Sequence, residues 1–277
     1  MKICVNGWIM LNRSRAIKKR RKGECYNSCN RMHGILAVHT IFVLWLLCIF
    51  IPPTAIAAEG HAYIELDSGY NTGDFGTPTR YGLYYFTPVF GYLSPAYGFS
   101  VATPYLRLTS KTGGQSTTET GMGDIILRGD MALISEGKSG FSLDGAMAVK
   151  LPTADEAKGL GTGETDYGTF VSLHQRFQEI KFSFMAGYIK TGDPSSFDYN
   201  DIYLYGFGVS RLFGRTNIYS SFEGRRSIIP GTKNPQELVF GFFYILNNWY
   251  SLKGNVSFGL NDGTQDFGSN IGLLRWF

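Results

Sequence analysis

After residue 60 the side chains alternate between apolar and polar with a period of two, and nothing else in the chain constrains its fold as strongly. In residues 121–176, Ile125, Leu127, Met131 and Leu133 share one parity, while Asp124, Arg128 and Asp130 share the other. Phe141, Leu143, Met147 and Val149 then oppose Ser142, Asp144 and Lys150. Tyr167, Val171 and Leu173 oppose Asp166, Ser172, His174 and Arg176. Successive side chains of an extended chain point to opposite faces, so this pattern predicts β-strands. The apolar stripe at i, i+3 and i+4 that a soluble helix needs is nowhere of useful length.

Twelve strands are predicted in all. The first, over 61–70, sets Ala62, Ile64 and Leu66 against Tyr63, Glu65 and Asp67. The second, over 80–92, sets Tyr81, Leu83 and Tyr85 against Arg80, Gly82 and Tyr84. The third is interrupted by Pro104, and its apolar side switches from Phe99 and Val101 to Leu106 and Leu108, as an edge or bulge would allow. Residues 110–120 read as a polar loop. Toward the end of the chain, Tyr250, Leu252, Val256, Phe258 and Leu260 oppose Ser251, Lys253, Asn255 and Ser257. The connections run to about 8, 4, 12, 5, 15, 2, 9, 3, 9, 2 and 6 residues.

That long–short alternation is the discriminating feature. A soluble sandwich has no reason to sort its connections by parity, whereas an outer-membrane barrel has short periplasmic turns and long extracellular loops. Hydrocarbon leaves no unpaired backbone group satisfied, so a spanning sheet must close on itself. The predicted fold is therefore an all-β, transmembrane antiparallel β-barrel of about 12 strands in the outer membrane of a Gram-negative cell. Its apolar stripe, including Ile125, Leu127, Leu143, Val149 and Val171, should face lipid. Charge at Leu143 is then expected to block assembly and charge at Ala146 to be tolerated. Tyr167, Tyr188, Tyr203, Trp249 and Trp276 suit interfacial girdles. The final strand ends Ile271, Leu273, Arg275, Phe277, an aromatic terminus similar to the signal read by barrel-assembly machinery, with Arg275 where an apolar residue is usual.

Domain organisation follows from charge. Nine of the 26 Lys and Arg and one of the 22 Asp and Glu precede Ala58, which leaves 17 basic against 21 acidic residues beyond it. The basic excess thus belongs to the first 57 residues, and it argues against a nucleic-acid partner. Cys4, Cys25, Cys29 and Cys48 lie there too, so the remainder has no disulfide framework. A cationic run at 16–22, an apolar segment at 35–51 and Ala55-Ile56-Ala57 give the order of a secretory signal peptide. We expect residues 1–57 to be a cleaved leader with a long basic n-region, and residues 58–277 to be the barrel.

Gly121-Met122-Gly123-Asp124, Lys150-Leu151-Pro152-Thr153 and the run Lys158–Gly168 resemble motifs of the family named for the MetA pathway of phenol degradation, a group of outer-membrane transporter-like proteins. The resemblance covers residues 121–177 in detail. It implies passive uptake of small solutes, aromatic or otherwise apolar compounds among them.

Candidate lumen-lining residues are the inward set Asp124, Arg128, Asp130, Asp144, Lys150, Asp166, His174, Arg176, Lys181, Glu223, Arg225 and Lys253. Both signs are mixed, which argues against a strong ion selector, and pairing across neighbouring strands is their bland role. No cofactor and no metal site is expected. Two alternatives remain. One is a structural or ligand-binding barrel without transport. The other is a lipid hydrolase using Ser172 and His174, although the alternation turns His174 away from lipid and no nucleophile turn surrounds Ser172. The Gly-rich stretch 159–163 lacks the strand–loop–Lys–helix setting of a phosphate cradle and reads as a flexible outer loop.

Overall fold

The computed structural model describes residues 60–193 and 198–277. The leader expected over residues 1–57 lies outside the described residues. Fourteen strand segments follow one another: β1 His61–Gly73, β2 Arg80–Leu93, β3 Tyr97–Ala102, β4 Tyr105–Thr112, β5 Gln115–Met122, β6 Ile125–Ile134, β7 Phe141–Leu151, β8 Asp166–Phe177, β9 Ile180–Lys190, β10 Ile202–Phe213, β11 Thr216–Arg225, β12 Gln236–Ile245, β13 Tyr250–Gly259 and β14 Phe267–Trp276. Every pairing is antiparallel between neighbours. β1 pairs with β2 on one side and with β14 on the other, so the sheet closes.

The fourteen segments make twelve staves. β3 and β4 both pair with β2 and are halves of one stave, broken at Thr103-Pro104. β5 and β6 are halves of the next, broken at Gly123-Asp124. Pro104 cannot donate to the ladder, and the break uses its carbonyl instead, which accepts from the Gly123 N–H at 2.8 Å. The barrel is the predicted twelve-stranded one.

Residues 110–120 are not a loop. β4 and β5 form a hairpin around Gly113-Gly114, both at positive φ as a tight primed turn requires. Its polar sequence forms strand because threonine is β-branched and pairs across the ladder, as Thr109–Thr118 (3.1 Å) and Ser110–Thr117 (2.8 Å) do. The hairpin projects at the end of the barrel that also carries loops 152–165, 191–201 and 226–235. The opposite end has tight connections such as Gln178-Glu179 and Gly214-Arg215. Below, these are the loop end and the turn end.

Exposure follows strand parity. Phe184, Tyr203, Tyr205, Phe207, Ile218, Phe240, Phe258 and Ile271 stand exposed on the outer wall, with Phe184–Phe207 and Tyr188–Tyr203 ring pairs at 5.0 and 5.2 Å. Leu127 and Val171 are on that wall as expected. Two sectors differ from expectation. On β2 the outward residues are Tyr84 and Phe86, whereas Leu83 and Tyr85 are buried inside. The apparent switch at Pro104 has the same cause. Parity runs unbroken from Phe99 to Tyr105 on the outside, and Leu106 opposite Tyr85 lies inside because the interior itself is apolar there. Trp276 is no girdle residue either. It points inward, packs on Tyr63 at 5.3 Å and donates to Ser251 Oγ at 3.4 Å.

Candidate lumen constriction

Where β7 ends at Leu151, the chain does not run out into solvent. Residues 159–162 are buried, and Leu160 is inserted against Leu83, Tyr85 and Leu106 on the inner wall, with Leu108 and Ala154 beside it. Loop 152–165 thus lies across the inside of β5, β4 and β2 at the loop end. This corrects the expectation of a flexible outer loop.

What holds it is a buried ionic latch built from the motif residues. Lys150, only 2% exposed, projects inward from the end of β7. Its ammonium lies 2.8 Å from Asp166 Oδ2, 3.6 Å from Asp124 Oδ2, and donates to Thr162 Oγ1 at 2.6 Å. Asp124 Oδ1 accepts from the Ala154 N–H at 3.0 Å. Asp166 Oδ1 accepts from the Gly192 N–H at 3.0 Å, which ties the neighbouring loop to the same cluster. Thr153 closes the seam, accepting from the Ile125 N–H at 2.9 Å and donating to the Gly123 carbonyl at 3.2 Å. A buried ammonium is stable only when paired and fully hydrogen-bonded, and three partners from three segments meet that demand. Gly161 passes so close to Asp124 that a Cβ there would stand 2.7 Å from its carboxylate oxygen, so only glycine lets the loop approach the latch.

Deeper in the barrel the charges pair in patches. Lys253 lies 2.8 Å from Asp67 and also bonds Glu65, both on β1. Arg128 pairs with Asp130 at 2.8 Å and lies over the Phe170 ring. His174 contacts Asp144 through Nε2 at 3.2 Å and Ser183 through Nδ1 at 2.8 Å. Arg176 holds Glu136 at the turn end, which keeps that loop carboxyl below its ordinary value. Arg225 lies 4.0 Å from Glu237, and Glu223 accepts from Ser221 at 3.0 Å. Lys181 is half-buried beside His174 and Arg176.

The structure therefore brings Asp124, Lys150 and Asp166 together, and Asp144 with His174. It distributes Arg128, Asp130, Arg176, Lys181, Glu223, Arg225 and Lys253 around the inner wall. Sequence reasoning missed Glu65, Asp67, Glu237, Thr162 and Leu160. Glu65 and Asp67 were legible from parity as inward carboxylates, whereas Glu237 sits in a segment apolar on both faces. Leu160 was not, because nothing in a Gly-rich segment says which way it folds.

His174 bonds Ser183 rather than Ser172, and both face the interior. Thr87, opposite Asp67, and Asn71, opposite Leu83 and Gly268, are fully buried on the inner wall, and their side-chain polar atoms find no protein partner. Buried polar groups of this kind are ordinarily satisfied by ordered water. Among the described residues, no group of three or more His, Cys, Asp or Glu is disposed to hold a metal ion.

A profile of the family described as "Putative MetA-pathway of phenol degradation" matches residues 65–276. No curated protein matches the chain. Among solved structures, the COG4313 outer membrane channel from Pseudomonas putida F1 is similar with a TM-score of 0.65 at 12% identity, over 82% of this chain and 100% of that one. The KdgM porin is similar with a TM-score of 0.51 at 8% identity, over 77% of this chain and 99% of that one. At such identities the likeness is one of fold, that of an outer-membrane β-barrel.

Proposed function

The chain belongs to the MetA-pathway phenol-degradation family of outer-membrane barrels, and on that premise we propose that it is a channel for passive uptake of small solutes, apolar and aromatic compounds among them. The observation that carries this reading is the burial of Leu160 on Leu83, Tyr85 and Leu106. The mouth is thereby lined by hydrocarbon where the loop enters it, while charged residues pair on the wall beneath. A hydrated ion meets a barrier there, and an apolar solute meets a surface like itself.

In this reading the loop end faces outside and the turn end the periplasm. Asp124, Lys150 and Asp166 hold the constricting loop in place. Arg128, Asp130, Asp144, His174, Arg176, Lys181, Glu223, Arg225 and Lys253 line the path below it. A leader over residues 1–57 directs export, and the outward phase Ile271, Leu273, Phe277 supports recognition by barrel-assembly machinery. The interior direction of His174 and Ser172, away from lipid, supports a barrel without hydrolase activity. Replacing both by Ala is expected to leave phospholipid hydrolysis at background.

Proteoliposome uptake tests the proposal. Folded protein, verified by heat-modifiable gel mobility, should admit a labelled small phenol faster than a sugar of equal mass. Equal rates for both would point to a polar pore. No flux of either, with no conductance in planar bilayers, would make this a structural or ligand-binding barrel instead.

A further inference from the structure

The outer wall carries a cationic patch that transport does not use. On β4, Arg107 and Lys111 point outward and are exposed, and neither has an ion-pair partner among the described residues. Lys111 is directly opposite Arg80 on β2, and Arg107 directly opposite Tyr84. Arg80 is over half exposed, although it also reaches Asp266 at 3.0 Å. On the other side, Lys111 faces Ser116 and Arg107 faces Thr120 of β5, so the surface between the cations is made of hydroxyls. Glu119 is opposite the inward Leu108 and so points inward with it, away from the cationic face.

Other cations outside the lumen are engaged in part, Arg226 by Asn200 and Arg215 by the Leu246 carbonyl. Lys190 pairs with Asp201, Arg211 with Glu179, and Arg275 lies over the Tyr250 and Phe277 rings. Arg107 and Lys111 thus form a neighbouring pair of exposed cations without a carboxylate partner among the described residues, on one side of the loop end. Tyr84, Phe86, Tyr105 and Met122, all exposed, lie immediately below it on the same three strands. An apolar band topped by unpaired cations and hydroxyl donors matches a lipid whose acyl chains run down the band and whose head group bears phosphate. Three residues lie between Arg107 and Lys111, a rise of about 13 Å along the strand, close to the span of a disaccharide with a phosphate at each end.

We propose that the outward face of β2, β4 and β5 at the loop end binds a phosphorylated glycolipid of the outer leaflet, with Arg107 and Lys111 on its phosphates and Arg80 assisting. The lipid would also cover the unpaired edge of β5, which pairs with β4 alone.

The test uses purified, folded protein in neutral detergent and reads glycolipid retention by native mass spectrometry. Diphosphoryl lipid A should be retained, a monophosphoryl form less so, and a phosphate-free glycolipid with the same acyl chains not at all. Arg107→Gln with Lys111→Gln should weaken retention about thirtyfold, the loss expected for two surface cations against an anionic head group. Arg275→Gln, at the other end, should leave it unchanged. Each single variant should give an intermediate loss, which guards against misfolding of the double variant. Equal retention with and without phosphate, or a folded double variant that binds like the parent, would overturn the proposal. Displacement by millimolar inorganic phosphate alone would also overturn it, since the site would then be one for free anions.

Discussion

At the scale of single residues, Lys150 is the side chain on which the mouth depends. Its ammonium neutralises two carboxylates out of contact with water, so its removal leaves Asp124 and Asp166 buried, uncompensated and repelling each other. Breaking a buried ion cluster in this way costs about 3–5 kcal/mol. We expect Lys150→Met to release loop 152–165 while the wall remains closed, because the β7–β8 ladder runs on through Asp144 and Ser172 without it. Trypsin cleavage after the exposed Lys158 should accelerate at least tenfold, read by mass spectrometry of folded protein. Combining Lys150→Met with Asp124→Asn and Asp166→Asn removes the stranded charges and should recover part of the protection. A triple variant cleaved as fast as the single one would locate the latch elsewhere. The alternation marked these three residues as inward and charged. That they meet was not legible, because strand parity gives a face and not a height along the barrel. Closure of the sheet and the length of β7 bring Lys150 level with Asp166, its direct ladder partner.

At the scale of elements, depth decides what a charge on the wall costs. Leu143 is outward as expected, but it is the third residue of β7 from the turn end, whereas Met147 is near the middle and more exposed. A basic residue costs about 2–4 kcal/mol at the bilayer midplane and about 0–1 near the interface. Met147→Arg should therefore lower folding efficiency into lipid vesicles far more than Leu143→Arg, and Ala146→Arg, which enters the interior beside Asp130, should change it least. The same strand shows where pattern-reading falls short. The apolar parity faces lipid on β7 to β14 but not on β2 and β4, where the interior is also apolar. A second element-scale expectation concerns loop 191–201. Asp201 accepts from the Tyr188 hydroxyl at 2.6 Å, from Lys190 at 3.1 Å and from the Thr191 N–H at 3.2 Å. The Tyr188 bond above all holds its carboxyl below the ordinary 3.8. A depressed carboxyl stabilises the folded contacts of Asp201 fully above its ordinary value, and that stabilisation is lost as pH falls through the lowered one. Proteolysis near Tyr199, normalised at each pH to an unfolded control substrate, should accelerate as pH falls below the ordinary carboxyl value of 3.8, and Asp201→Asn should flatten that dependence.

For the whole molecule, the question is whether flux is set by the width of the barrel or by one loop inside it. Twelve strands enclose a lumen between one filled by side chains and one wide enough for a free aqueous channel, so a single inserted loop can control passage. The wall is closed by hydrogen bonds all round and does not need the loop for its integrity. Motion of the loop is therefore separable from unfolding of the barrel, and a tether should report on it alone. Residues beyond 57 contain no cysteine, so once Cys4, Cys25, Cys29 and Cys48 are replaced by Ser a new pair reacts without competitors. Gly121 and Leu160 are suitable partners, since a Cβ on Gly121 would stand 2.9 Å from Leu160 Cδ1, and the smaller thiol at 160 makes the room that the glycine now provides. With Gly121→Cys and Leu160→Cys joined by oxidation or a short thiol cross-linker, uptake of a small phenol should fall at least tenfold, and reduction of the disulfide should restore it. The Lys150→Met variant should move the other way, with raised planar-bilayer conductance. If the tethered barrel admits solute at the untethered rate, the constriction at Leu160 does not limit flux, and the path must bypass loop 152–165.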